Sequence, residues 1–174
     1  TIVGASVKEL LDENLSDDVP VRIISGNVLT GTKIEADGYM GFFERQITAI
    51  REGIEPELFG WLIPKPNKFS ISRALPSWFM RQVGEVKYDL DTNNHGELRA
   101  FVVSGEYEKV FPFDIFPVHL LKAILNEDID AMEKLGLYEV VEEDFALCEV
   151  VCTSKINVQN IVRDGLNLLR SEIG

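Results

Sequence analysis

The sequence reads FDIFPVHLLKAILNEDIDAMEKLG over residues 113–136, and there its hydrophobic pattern changes from that of strands to that of helices. Four apolar residues follow the spacing of one helical face: Leu120, Leu121, Ile124 and Leu125. Either Asp114 or Pro117 suits the start of this helix, and the missing N–H of proline costs nothing at the first position. Asp128 suits the start of a second helix, and Gly136 suits the residue after its end. The stretch therefore predicts two consecutive helices.

Two more helices are expected downstream, at Glu142 to Cys152 and at Asn157 to Glu172. The first has acidic residues in its opening turn, where the helix dipole favours them. The second has apolar residues spaced for one buried face: Ile161, Leu166, Leu169 and Ile173. Residues 113–174 are accordingly predicted to form a small helical domain.

Residues 1–63 have the pattern of a small module that mixes one helix with several strands. A short helix is expected near Val7, and strands at Val21 to Ile24, Gln46 to Ile50 and Leu58 to Ile63. The glycine-rich segment between the first two strands is predicted to be loop. Prolines 64 and 66 end the module, because proline lacks the N–H that a ladder needs. The fold class is therefore α+β.

Residues 64–112 form a connecting segment, predicted to be extended with a β-hairpin. Its strands are Val86 to Leu90 and Leu98 to Val103, and residues 91–97 form the polar tip. The tip contains His95, one of two histidines. A lone histidine in such a loop is expected to be solvated.

Composition excludes several classes of protein. The 174 residues include 17 Lys and Arg against 29 Asp and Glu, a formal charge of −12. An acidic chain is a poor nucleic-acid binder, since such binding needs a basic footprint. No apolar run reaches the roughly 18 residues of a membrane span. The chain begins at Thr1 rather than Met, and we expect it to be a piece cut from a longer protein at a domain boundary.

The connecting segment is also the only part with a net positive charge. It has 7 basic and 6 acidic groups, whereas residues 1–63 carry a net −6 and residues 113–174 a net −7. Arginine and aromatic residues are enriched at interface hot spots. Candidate docking residues are Arg73, Trp78, Phe79, Arg81 and Lys87. The alternative is that the two aromatic rings fill the chain's own core.

Cys148 and Cys152 lie four residues apart on a predicted helix and allow three interpretations. A zinc site would need two more soft ligands, and only His95 and His119 remain as histidine candidates. A disulfide between such positions has poor geometry. We favour the third interpretation, in which both thiols are reduced and buried and act as small apolar side chains.

Familiar catalytic motifs are missing from the sequence. It contains no Walker A loop, no G-x-G-x-x-G and no nucleophile elbow. We therefore assign no catalytic, cofactor-binding or metal-binding residue to the chain.

Long ordered motifs resemble those of the A-subunit family of sodium-translocating NADH:quinone reductases. They are RIISGNVLTG (22–31), GYMGFFERQITAI (38–50), FGWLIPKPNKFSISRA (59–74), YEKVFPFDIFP (107–117) and LGLYEVVEEDFALCEVVCTSK (135–155). The opening GASVKELLDENL (4–15) is similar to the start of the SLBB module, a β-grasp domain named for soluble ligand binding. The resemblance covers nearly the whole chain, as the C-terminal part of the family's polypeptide.

The resemblance implies a peripheral subunit on the cytoplasmic side of the bacterial inner membrane. The complex oxidises NADH, reduces ubiquinone or menaquinone and exports Na⁺, with its flavins and iron centres in other subunits. Its other subunits are the implied partners. A quinone-related role is also implied for the A subunit, without assigned residues. This chain is then a structural or docking part that performs no hydride transfer itself.

Related subunits of the Rnf complex and of respiratory complex I bind iron–sulfur clusters through C-x-x-C sets after an SLBB-like module. This chain has only Cys148 and Cys152, with no following C-P. The helical domain is therefore predicted to resemble a ferredoxin-like helical unit that has lost its cluster. Two other functions stay open: a free-standing β-grasp module for a small soluble ligand, and a cluster-free Rnf-type electron-transport subunit.

Overall fold

The computed structural model describes residues 4–11, 19–53, 67–69 and 90–173, together with six isolated residues: Phe79, Gln82, Gly84, Glu85, Lys87 and Tyr88. Contacts divide the chain into two compact units, residues 1–95 and residues 96–174. The division into residues 1–63, 64–112 and 113–174 stays a prediction, because residues 54–66, where the first boundary falls, lie outside the described part of the chain.

The first unit combines one short helix with an antiparallel sheet. Its elements are helix α1 (Val7–Leu11) and strands β1 (Val21–Ser25), β2 (Thr32–Ile34) and β3 (Ile47–Arg51). In the described residues the sheet has the order β2-β1-β3. Ile23 in the central strand pairs with Ile34 on one side and Ala49 on the other. The α+β class is thus confirmed, as are the expected positions of α1, β1 and β3.

Strand β2 was expected to be loop, and that prediction was wrong. The strand is three residues long, and none of them is buried. An exposed edge strand lacks the alternation that marks a half-buried one. Its position depends instead on the preceding turn, where Asn27 Oδ1 accepts hydrogen bonds from the N–H groups of Leu29 and Thr30 at 2.7 and 3.0 Å. Such side-chain turns are a common use of asparagine.

The second strand of the predicted hairpin does not form, since residues 98–103 are neither helix nor strand. Instead the Arg99 N–H donates to the Ser154 carbonyl at 2.9 Å. The Ser154 hydroxyl donates to the Ala100 carbonyl, also at 2.9 Å. These bonds hold the segment against a loop of the helical unit, so tertiary contacts override its strand propensity. Lys87, Tyr88 and Leu90 of the expected first strand are likewise neither helix nor strand. Its other two residues, and the expected strand Leu58 to Ile63, lie outside the described residues.

The second unit is helical. Its α-helices are α2 (Pro117–Leu125), α3 (Ile129–Lys134), α4 (Ala146–Val151) and α5 (Val158–Ile173). Single 3-10 turns lie at Tyr107–Lys109, Leu137–Glu139 and Glu142–Phe145. All four predicted helices are confirmed, although the third begins with the 3-10 turn. Asp128 caps α3 by accepting from the Ala131 N–H at 3.0 Å, and Gly136 follows its end with φ of +87°.

The buried face of α5 differs from the predicted one. It is formed by Val158, Val162, Gly165 and Leu169, whereas Ile161 and Leu166 are only partly buried. The side chain of Ile173 lies outside the described residues. Gly165 lies so close to α2 that a Cβ built on it would be 2.9 Å from Ile124 Cγ1. Counting only apolar side chains misses this face, because its central residue is a glycine that lies in close contact with another helix.

Candidate functional site

The predicted docking residues are only partly described by the structure. Phe79 is exposed over 65% of its surface, and Lys87 is also exposed. Arg73, Trp78 and Arg81 lie outside the described residues. The core-filling alternative is therefore wrong for the Phe79 ring, and it stays untested for Trp78.

An exposed aromatic surface that sequence reasoning missed lies in residues 38–46, which we call the aromatic loop. Tyr39, Phe42 and Phe43 expose 68%, 73% and 89% of their surfaces. The rings of Phe42 and Phe43 pack edge to face, with centroids 5.0 Å apart. Adjacent exposed aromatics are unusual on a monomer surface unless something binds there. The signal was in the sequence, since an aromatic pair lay in a segment already predicted to be loop.

The aromatic loop is anchored at several points along its backbone. The N–H of Gly41 donates to Ser25 Oγ at 2.9 Å, and that of Gly26 donates to the Gln46 carbonyl at 2.9 Å. Met40, between the exposed rings, is buried. The loop therefore presents its aromatic side chains from a fixed backbone, which reduces the conformational entropy that binding would cost.

A polar cluster lies at the C-terminal end of β3. Arg22 makes a two-point ion pair with Glu52, whose carboxylate also accepts from the Thr92 hydroxyl at 3.1 Å. The hydrogen bond from Arg22 is the main reason that the pKa of Glu52 is lowered. The Thr92 N–H donates to the Arg51 carbonyl at 3.0 Å. These contacts tie residue 92 to the end of the strand, so the cluster has a structural explanation.

His95 lies beside this cluster in the polar tip. Its Nε2 is 3.2 Å from Asp91 Oδ1, and its side chain is about one-third exposed. The histidine is therefore exposed, as expected, and also lies beside a carboxylate.

The two cysteines lie in the core of the helical unit as free thiols, and the prediction that both are buried is confirmed. Tyr107 Oη donates a hydrogen bond to Cys152 Sγ at 2.9 Å. Burial raises the pKa of Cys148 to about 12, and the carboxylates of Glu108 and Glu149 act in the same direction. A thiol with a raised pKa is a poor nucleophile and a poor metal ligand at neutral pH.

These donors do not fit an iron–sulfur cluster. Such a cluster is held by four thiolates, or by two thiolates and two histidines, and the second set would require both cysteines and both histidines of this chain. In the part of the chain that the structure describes, no three His, Cys, Asp or Glu side chains converge on one point. No step through a cluster is therefore derived for this chain.

The helices are short or polar compared with a membrane span. Helix α5 has 16 residues, whereas a spanning helix needs about 20 apolar ones. Among the described residues, no helix is both long enough and apolar enough to cross a membrane.

Two comparisons with known proteins agree with each other. A family model described as the NQRA C-terminal domain matches residues 1–36. A protein from Yersinia pestis bv. Antiqua (strain Angola), named as the A subunit of Na(+)-translocating NADH-quinone reductase, is 42% identical over 173 residues. Proteins of the same name from Shewanella frigidimarina (strain NCIMB 400) and Vibrio vulnificus (strain YJ016) are each 40% identical. Each alignment covers 99% of this chain but 38% of the relative, so the chain spans less than half the length of these relatives.

Proposed function

We propose that this chain, a homologue of the A subunit of Na⁺-translocating NADH-quinone reductase over 99% of its length, is the C-terminal part of such a protein. The observation that carries the proposal is the extent of the identity, which includes both structural units and leaves no large unmatched segment. The match of the NQRA C-terminal domain model to residues 1–36 supports the same placement. Residues 1–63 are then an SLBB module of the β-grasp type, and residues 113–174 a ferredoxin-like helical unit without a cluster.

In this proposal the chain serves assembly rather than chemistry. The complex oxidises NADH, reduces quinone and exports Na⁺, and the flavins and iron centres that do so belong to other subunits. The burial of both thiols and the raised pKa of Cys148 support a chain that carries no redox group of its own. Any contact with quinone is made within the whole complex.

The proposed docking surface on the other subunits is the connecting segment around Arg73, Trp78, Phe79, Arg81 and Lys87. The exposed ring of Phe79 and the exposed Lys87 support it. Acidic blocks on both sides make this segment the least repulsive place for an acidic partner. The complex then holds the chain at the cytoplasmic side of the inner membrane as a peripheral part.

The test is purification of the complex from membranes of the native organism through a tag on an integral subunit. Mass spectrometry of the purified complex should identify peptides of this chain in stoichiometric amount. A strain in which the coding region of residues 1–174 is deleted should lose NADH-driven, Na⁺-stimulated quinone reduction by its membranes.

Two results would contradict the proposal. One is a complex whose A subunit lacks these residues. The other is full reductase activity in the deletion strain, which would favour a free-standing ligand-binding module. An Rnf-type subunit would instead be found with ferredoxin-oxidising activity in the same pull-down.

A further inference from the structure

The aromatic loop lies outside the connecting segment, so the proposed function does not say what binds to it. Tyr39, Phe42 and Phe43 are mostly exposed although the loop backbone is anchored. The turn between β1 and β2 leaves the sheet at the same end, since Ser25 pairs with both Thr32 and Ile47. Two apolar side chains of that turn are also exposed: Val28 and Leu29.

The path of the chain indicates what covers this surface. Residues 5–7 run antiparallel to the start of the aromatic loop, and Ser6 forms a β-bridge with Tyr39. The Met40 N–H donates to the Ala5 carbonyl at 3.1 Å, and the Val7 N–H donates to the Gly38 carbonyl at 3.0 Å. The chain therefore enters the first unit directly beside Tyr39.

The relatives are much longer than this chain. The chain covers 38% of each of them, and the family model that matches its start is described as a C-terminal domain. In a full-length protein of the proposed kind, the segment that precedes a C-terminal domain would join the chain at this point, next to the exposed rings. A tethered segment acts at a high effective concentration, so weak apolar contacts suffice to hold it there.

We propose that in the full-length protein the aromatic loop is a docking surface for the part of the same polypeptide that precedes Thr1. The surface recognises an apolar face of that part, and Phe42 and Phe43 are its central contacts. This inference rests on the proposed function, because it requires that the chain belongs to a longer polypeptide.

The test is site-specific photocrosslinking in the intact complex. Phe43 is replaced by the photoreactive amino acid p-benzoylphenylalanine in the full-length protein, and the crosslinked peptides are identified by mass spectrometry. Phe116, which is 66% exposed in the helical unit, carries the same photoreactive group in the matched control. Crosslinks from position 43 should map to peptides that precede Thr1, and those from position 116 should map elsewhere.

Crosslinks from position 43 to another subunit, only to residues 1–174, or to nothing would overturn the inference. If the position 43 variant fails to assemble, the same group at Phe42 replaces it. A second measurement compares Phe43→Ser with Phe116→Ser in the full-length protein, where only the first should lower the melting temperature. Failure of the proposed function is distinct, since the purified complex would then lack this chain before any crosslinking.

Discussion

Tyr107 Oη donates its hydrogen bond to Cys152 Sγ at 2.9 Å across 45 positions of sequence, inside the core of the helical unit. Cys148 lies in the same core with no exposed surface. Burial raises the pKa of both the Tyr107 phenol and the Cys148 thiol. The protonated forms of both groups therefore favour the folded unit.

Alkaline pH should destabilise the helical unit in a way that depends on Cys148. In the unfolded chain the pKa of the thiol is near its ordinary value of 9.0, whereas in the folded chain it is about 12. Above pH 9 the unfolded state loses the proton first, so the free energy of unfolding falls as pH rises toward 12. Urea titrations between pH 8 and 11 should show this decline, and Cys148→Ala should make it shallower. An equal decline in wild type and variant would contradict the assignment.

Removing Cys148 should cost only packing energy. We expect Cys148→Ala to lower the free energy of unfolding at pH 7 by about 1 kcal/mol, as for a small buried side chain. A chelator should leave the melting temperature unchanged, and elemental analysis should find neither iron nor zinc in stoichiometric amount. Visible absorbance typical of iron–sulfur clusters, or unfolding by the chelator, would refute the prediction.

Gly165→Ala should destabilise the chain although alanine is the better helix former. The new Cβ would lie 2.9 Å from Ile124 Cγ1 and Cγ2. Overpacking a core costs about 1–3 kcal/mol, which exceeds the gain of about 1 kcal/mol from replacing glycine inside a helix. Chemical denaturation measures the difference.

The matched control for Gly165 is the same substitution in an Ile124→Ala background. There the contact is absent, so the helix propensity alone remains and Gly165→Ala should stabilise by about 1 kcal/mol. The same sign in both backgrounds would show that close packing against α2 is not the reason for the glycine.

Docking through the connecting segment is tested by the double substitution Trp78→Ala with Arg81→Glu in the intact complex. We expect less of the variant protein in the purified complex and slower NADH-driven quinone reduction, because an aromatic anchor and a favourable charge are both lost. A matched control is Phe116→Ala with Arg170→Glu, which removes an exposed aromatic ring and reverses one exposed charge in the helical unit. Equal effects of the two double variants, or none, would rule out the proposed surface.

The helices could be predicted because their signals are local. Asp128 and Gly136 delimit α3, and Pro117 starts α2, as the sequence indicated. The features that were missed depend on partners distant in sequence. Strand β2 forms by pairing with β1, and in the segment 98–103 both Arg99 and Ala100 are hydrogen-bonded to Ser154. Neither partner can be identified from the periodicity of the segment itself.

Prediction of the candidate surfaces was limited in the same way, by contacts between residues distant in sequence. Residue types alone pointed to Phe79, which is exposed. They also placed Tyr39, Phe42 and Phe43 in a loop but gave no reason to expect that the loop backbone is fixed. That reason is the Ser25 hydroxyl, which accepts from the Gly41 N–H.

The contacts of Tyr107 and Ser154 have a practical consequence for producing pieces of this protein in the laboratory. Phe101 packs on the helical core, and Tyr107 is part of it, although both precede α2. An expression clone that starts at Phe113 would encode the four α-helices of the helical unit, α2 to α5. It would lack Tyr107, which covers Cys152, and the carbonyl that accepts the hydrogen bond of the Ser154 hydroxyl. A clone that starts at Gly96 retains both contacts and is the better boundary for crystallisation or NMR.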